Sequence, residues 1–361
     1  MQHEEPLFLI DGAQKIDVMA ERLVRFISAA KVSVHVAIYD FRLKDPTTAK
    51  RVVHALNERA DKGIEVRIAY DHRNAPKFAV GTGEDPAPHG THAFLGEHFA
   101  HSAVKVKPIG WTEDVALKPI AGSKLMHSKY VLRDGHTEHG AVLMGSANFT
   151  DDAWTRQDNN VMVLHSPALC AFYETDFSEL WASGNIAGTG VNDFGPLNRD
   201  GLHGEIAFSP GEGKFIDDEI TKLIDSAERS IHIASMVITS DKILAALERV
   251  MEGGRVPLHG IFDGPEMHSA ESQMTSATKR ATIDRLRKVL VGKRSTPYSD
   301  NGVHDFMHNK LVVVDDTVLT GSHNFSLSAQ HNAENTILLR DPTLAAKYRD
   351  YVSTLVKKYG Q

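Results

Sequence analysis

The chain has 361 residues, 42% apolar and 24% charged, which excludes a disordered or fibrous chain and, at about 150 residues per domain, favours two domains. Forty basic against 47 acidic residues leave a net charge of -7, which argues against a globally basic nucleic-acid binder but not against a local basic face. The lone cysteine, Cys170, excludes an internal disulfide, and no run of about 18 apolar residues is present to span a bilayer. The opening MQHEEPLFLI carries acids where a signal peptide carries Lys or Arg. It predicts a soluble chain without a signal peptide, cytoplasmic, or secreted if it begins at a mature N-terminus.

In chain order, AERLVRFISAAKVSVHVAIYDF predicts a helix (Leu23, Val24, Ile27) running into a β-branched strand. KRVVHALNERADKG predicts a second helix, and EVRIAYD a strand ending at Asp71. Residues 72–101 then read as a loop-like insertion with Pro76, Pro86 and Pro88. The same series returns later. DDEITKLIDSAERSIHIASMVI repeats the first helix and strand, with His232 in the place of His35. ILAALERVMEGG and VPLHGIFD, ending at Asp263, repeat the next pair. HSPALCAFYETDFSELW and RDPTLAAKYRDYVSTLV close the two copies, with Pro167 and Pro342 suited to a first helical turn. Between the copies, residues 182–201 are rich in Gly and Asn and have no apolar period. The predicted organisation is an N-terminal half (1–184), a linker (185–202) and a C-terminal half (203–361). Strand-helix-strand order makes the class α/β, each half a mixed β-sheet flanked by helices. Residues 264–306 form a second insertion, a helix around TSATKRATIDRLRKVLVG followed by a polar loop.

The strongest pattern occurs once per copy: MHSKYVLRDG with LMGSANF, and MHNKLVVVDD with LTGSHNF. Each reads His-x-Lys, four residues, Asp, then Gly-Ser-x-Asn: His127, Lys129, Asp134, Gly145, Ser146, Asn148, and His308, Lys310, Asp315, Gly321, Ser322, Asn324. His and Lys two apart on a strand share a face and can reach one ligand. Lysine is a point charge suited to a phosphoryl oxygen. Asp134 and Asp315 fall where the strand turns back. Two copies related by a pseudo-twofold bring two histidines to one active site at their interface. One imidazole can then attack phosphorus while the other protonates the leaving oxygen.

At these residues the sequence resembles the phospholipase D superfamily, over both motifs and most of the chain. The resemblance implies two-step phosphodiester hydrolysis through a phosphohistidine, with no metal or other cofactor. It implies His127 as nucleophile and His308 as general acid, then as the base that activates water or an acceptor alcohol. Lys129, Lys310, Asn148 and Asn324 would hold the phosphoryl oxygens, Ser146 and Ser322 would assist in binding substrate, and Asp134 and Asp315 would be structural. Family motifs continue with Asn-x-Glu, present here as Asn332 and Glu334, whose carboxylate would orient a catalytic histidine. The first copy departs from this with RQDNN. Aligning DNNVMVL with AENTILL keeps the apolar alternation and puts Gln157 opposite Asn332 and Asn159 opposite Glu334; an ungapped count puts Asp158 there instead. The gapped alignment is preferred, which gives the two histidines different partners and fixed roles.

Two further segments admit two readings each. PHGTHAFLGEHFAHS, with His89, His92, His98, His101 and Glu97, fits a transition-metal site or a loop bordering the active site. Trp111 and Phe99 nearby fit a stacking role or a small local core. Residues 271–294 hold Lys279, Arg280, Arg285, Arg287, Lys288, Lys293 and Arg294 against Glu271 and Asp284, a local excess of five positive charges. That excess either guides a polyanion or is the solvated face of an amphipathic helix. The substrate is expected to be nucleic acid, as in the superfamily's nuclease-like branch, with phospholipid as the alternative. One chain suffices to complete the site.

Overall fold

The computed structural model describes residues 3–72, 88, 90–110, 124–299 and 302–360. Each half builds one mixed sheet. The first runs Leu7–Leu9, Asn159–His165, Ala141–Gly145, Lys129–Arg133, Ser33–Ile38, Glu65–Asp71, Lys105–Ile109. The second runs Gly195–Leu197, Gly204–Ser209, Glu334–Arg340, Thr317–Gly321, Lys310–Val314, Ile231–Ser235, Leu258–Asp263, Val291–Lys293. Apart from the extra edge strand Gly195–Leu197, the two orders coincide, antiparallel on one side of Ser33–Ile38 or Ile231–Ser235 and parallel on the other. The register repeats as well: His35 lies across from Leu132 and His232 across from Val313, each three residues past its motif lysine.

The central strand SVHVAI is buried along its whole length, which suits its β-branched run covered on both faces. Helices Ile16–Ser28 and Pro46–Asp61 cover the outer face of the first sheet, with Leu23, Phe26 and Val52 in its core. Helices Gly213–Asp225, Asp241–Gly253 and Ala277–Leu286 cover the outer face of the second. Pro167–Ser183 and Pro342–Tyr359 each begin with proline in the first turn, capped by the side chains of Ser166 and Asp341. They pack in one inner core shared by both sheets, where Tyr173 and Phe177 join Phe208, and Tyr348 joins Ile337. The halves therefore have no separate inner cores. Cys170 is part of this packing, and burial pushes its thiol up to about 12.

The structure adds detail in three places. Between the copies, Gly195–Leu197 pairs with Gly204–Ser209 and extends the second sheet. The first insertion contains the helix Thr91–Phe99, which buries Phe94, Leu95 and Phe99; its flanking Pro and Gly residues masked that apolar face. The second insertion holds an additional helix, Gly264–Ser272, and the edge strand Val291–Lys293.

Candidate active site

Each motif histidine precedes its strand and is pinned to the opposite half. His127 donates its backbone N–H to the Ala333 carbonyl at 2.8 Å, and His308 donates its own to the Asp158 carbonyl at 3.0 Å. Bridges Met126–Ala333 and Asp158–Met307 complete the exchange. A carboxylate steadies each approach. Asp71 accepts from Met126 N–H at 2.7 Å and Asp263 from Met307 N–H at 2.8 Å. These aspartates end equivalent strands, a repeat visible in the sequence without its purpose.

The rings converge on one cleft of about 390 Å³, also lined by Asn148 and Asn324. His127 Nδ1–H donates to Glu334 Oε2 at 2.7 Å, across the two halves. His308 Nδ1–H instead donates to the Ser146 carbonyl at 3.0 Å and to Asn159 Oδ1 at 3.1 Å. Asn159 Oδ1 also accepts from the Ser146 hydroxyl at 2.7 Å, so the amide oxygen faces both donors. Both rings are thus held as Nδ1–H tautomers with the Nε2 lone pair available. Strand register pairs Gly145 with Val161 and Gly321 with Thr336. Asn159 is therefore the counterpart of Glu334, and Asp158 the counterpart of Ala333. Asp158 has a different use, accepting an ion pair from buried Lys293 at 2.6 Å.

The lysines are buried beside the rings, each donating to the carbonyl of its own motif histidine at 2.6 Å. Burial lowers Lys129 to about 7, against the pull of Glu334, Asp40 and Asp71. Burial and the nearby Lys129 hold Lys310 well below its ordinary value. Burial also lowers His127 to about 4 although Glu334 acts to raise it, and burial with Lys310 and Lys129 holds His308 well below the usual imidazole range. Burial would raise Glu334, but the His127 ring and Lys129 outweigh it and leave the carboxyl low. Among the described residues neither motif lysine has a carboxylate within 4.0 Å.

The remaining motif residues divide by role. Asn148 and Asn324 each keep a buried side-chain oxygen without a partner at the cleft. Ser146 and Ser322 lie off the cleft lining and are fully buried, and their hydroxyls accept from the Asn160 and Asn335 backbone N–H. They brace the strands, a different place from the substrate contact expected of them. Gly145 and Gly321 permit this closeness, since an added Cβ would lie 2.1 Å from the Asn160 carbonyl oxygen or 2.0 Å from that of Asn335. Asp134 and Asp315 adopt left-handed φ values of 52° and 50° and turn away from the cleft. Each carboxylate collects three backbone N–H groups, from Lys31, Val32 and Ser33 or from Glu228, Arg229 and Ser230.

The two cleft walls also differ. On the first half, Tyr39 packs its edge on His127 at 4.9 Å and its ring face on Lys129 at 5.2 Å. Asp40 beside it accepts from Thr91 Oγ1 and Arg42 Nε, and burial raises its carboxyl. The opposite wall carries Met236, Tyr298, His304 and Phe306. None of these wall residues was singled out from the sequence, because they belong to no motif.

The weaker sequence signals resolve unevenly. Lys279, Arg285, Arg287 and Lys293 form ion pairs with Asp241, Glu248, Glu271 and Asp158. The segment therefore does not present the positive excess counted from its sequence; two of the four acids, Asp241 and Glu248, come from helix Asp241–Gly253 and Asp158 from the other half. His92 meets the Tyr70 hydroxyl at 2.7 Å and His98 packs on Phe94. Among the described residues no group of three His, Cys, Asp or Glu is arranged to hold a metal ion. Phe99 belongs to the local core; His89 and Trp111 lie outside the described residues.

Fold and site together define a duplicated α/β protein whose paired His-x-Lys motifs bring both histidines to one cleft. The chain belongs to the phospholipase D superfamily: the family model described as "Cardiolipin synthase, PLD-like domain" matches residues 23–181 and 220–356. It is 25% identical over 356 residues to the major cardiolipin synthase ClsA of Bacillus subtilis, covering 94% of this chain and 66% of that protein. It is 32% identical over 145 residues to a phospholipase D of Rickettsia prowazekii, covering 39% of this chain and 62% of that one. The chain thus spans just under two thirds of the length of these curated relatives. The crystal structure of phosphatidylserine synthase from Haemophilus influenzae shares the fold, with a TM-score of 0.61 at 13% identity, over 98% of this chain and 88% of that one. No described helix is long and apolar enough to cross a membrane.

Proposed function

We propose that this protein is a phosphodiesterase that cleaves nucleic-acid phosphodiesters in two steps through a phosphohistidine. The observation that carries the reading is the pair of Nδ1–H-anchored imidazoles, one on a carboxylate and one on neutral carbonyl oxygens, meeting beside two buried lysines. His127 Nε2 attacks phosphorus, and the phosphorus–oxygen bond to the leaving group breaks. The leaving oxygen takes its proton from His308. The phosphorylated ring of His127 is cationic, and Glu334 holds its Nδ1–H. Neutral His308 then takes a proton from water, the hydroxide displaces His127, and the product phosphate leaves with both rings restored.

At rest burial keeps both rings neutral. An anionic phosphodiester between Lys129 and Lys310 offsets the charge that depresses His308 and lets it carry the proton. Lys129, Lys310, Asn148 and Asn324 receive the phosphoryl oxygens. The aromatic wall of Tyr298, His304 and Phe306 supports nucleic acid as substrate. Phospholipid hydrolysis or head-group exchange is the second reading, favoured by relatives named phospholipase D and cardiolipin synthase.

The test is cleavage of single-stranded DNA, double-stranded DNA, RNA and phosphatidylcholine vesicles, side by side in EDTA. His127→Ala and His308→Ala should each lose at least about 10³-fold. Labelled phosphate should be trapped on wild type and on His308→Ala given an activated leaving group, and not on His127→Ala. Loss of all wild-type activity in chelator would overturn the metal-free mechanism. Vesicle cleavage without polynucleotide cleavage would replace the substrate assignment.

A further inference from the structure

Residues 302–308 lead into the second motif, and His304, Phe306 and His308 alternate along them, so that all three line the cleft. Tyr298 lies against His304 with ring centroids 5.2 Å apart and planes 19° apart. His304 lies against Phe306 at 5.4 Å and 19°. Tyr298 also lies 6.5 Å and 23° from Phe306, so the three rings form a compact cluster with nearly parallel planes, ending two residues before the proposed acid His308. The cluster is built into the fold. Phe306 is buried and its carbonyl accepts from Asp158 of the other half. The His304 ring bonds the Ser299 carbonyl at 2.9 Å, and Asp305 ties the segment back to Thr296 N–H at 2.7 Å. The outermost ring, Tyr298, is 59% exposed.

Exposing a large aromatic ring in a polar cleft leaves apolar area in water unless a ligand covers it. The geometry selects among ligands. A cage for a quaternary ammonium needs ring faces converging from different sides; here the faces share one direction, as a planar partner requires. An acyl chain would call for an aliphatic lining, whereas this wall is aromatic, with Met236 beside it among the described residues.

We propose that Tyr298 and His304, backed by buried Phe306, form a base-stacking subsite on the leaving-group side of the cleft, which selects single-stranded over double-stranded nucleic acid. The inference rests on the nucleic-acid reading given above and adds the group recognised beyond the phosphate. A base within a duplex has both faces covered by its neighbours and cannot stack on the wall without being turned out. A cleft of about 390 Å³ suits a nucleotide-sized group.

The test compares a single-stranded oligonucleotide with an abasic one of equal length, which keeps the phosphates and removes the rings. Wild type, Tyr298→Ala and Tyr298→Phe are assayed for kcat and KM, with bis(p-nitrophenyl) phosphate reporting catalytic competence. Wild type should favour the base-bearing strand. Tyr298→Ala should cut that preference about tenfold, chiefly through KM, and Tyr298→Phe should retain it. Equal cleavage of both strands by wild type, a preference unchanged in Tyr298→Ala, or duplex cut as fast as single strand would overturn the subsite and leave the nuclease reading standing. Hydrolysis of phosphatidylcholine vesicles with no oligonucleotide cleavage would overturn both.

Discussion

The two halves are close copies in framework and unlike at the chemistry. Strand order, the aspartate-capped turn, the lysine-to-carbonyl bond of 2.6 Å and the glycine under each Gly-Ser-x-Asn recur in both. The partner behind each histidine does not, being Glu334 for His127 and Asn159 with the Ser146 carbonyl for His308. The walls differ too, with Tyr39 and Asp40 on one and Met236 and the aromatic cluster on the other. Duplication supplies two equivalent rings, and a few side chains around them give the two different surroundings. A carboxylate behind a ring favours a cationic intermediate on that ring, while a neutral acceptor leaves its partner free to give up a proton.

Separating the copies is the most severe way to break the comparison. Residues 1–184 and 203–361 expressed alone should lose all activity and expose apolar surface, because the inner core and both histidine anchors need both halves. Phosphodiester hydrolysis and dye binding by the isolated pieces check this; an active single piece would contradict it. Making the ring partners alike comes next. Glu334→Gln should lower kcat by about 10²–10³-fold, while Asn159→Asp should change the neutral rate by less than about tenfold. The pH profile separates the two changes. The free-base nucleophile sets an acid limb at about 4, and Glu334→Gln should move it lower, because the carboxylate acts to raise His127. Asn159→Asp places an anion behind His308, raises it, and should carry the alkaline limb upward.

The smallest effect lies in the segment that joins the copies. Burial, with Glu179 and Glu212 nearby, raises Asp193 to about 7. Its folded-state value is above the unfolded one, so the stability it contributes is complete below the unfolded value and is lost as pH rises through about 7. The thermal midpoint should fall by a few degrees between about pH 5 and about pH 8, and Asp193→Asn should flatten that slope.

The sequence revealed the features that repeat. Both motifs, the proline-started helices and the alignment of Asn159 with Glu334 were legible because apolar alternation constrains which residue faces which way. What escaped it depended on distant partners. Asp71 and Asp263 matter through backbone groups 55 and 44 residues further on, a separation no local pattern encodes. Lys293 counted as a surface charge until Asp158, 135 residues away, was found beneath it. Tyr298 and His304 stand in a segment whose polarity reads as loop, and only the approach to His308 brings their rings into line.

The backbone bonds that cross between halves, from His127 to Ala333 and from His308 to Asp158, bear on how such a protein can diversify. A symmetric pair of separate subunits would need one codon to specify both ring partners, so the two positions would have to match. Joined in one chain, they are encoded separately, and Asn159 and Glu334 can differ while the seam that aligns the rings is kept. The inter-half hydrogen bonding therefore preserves geometry, and the covalent join allows the two centres to be selected independently.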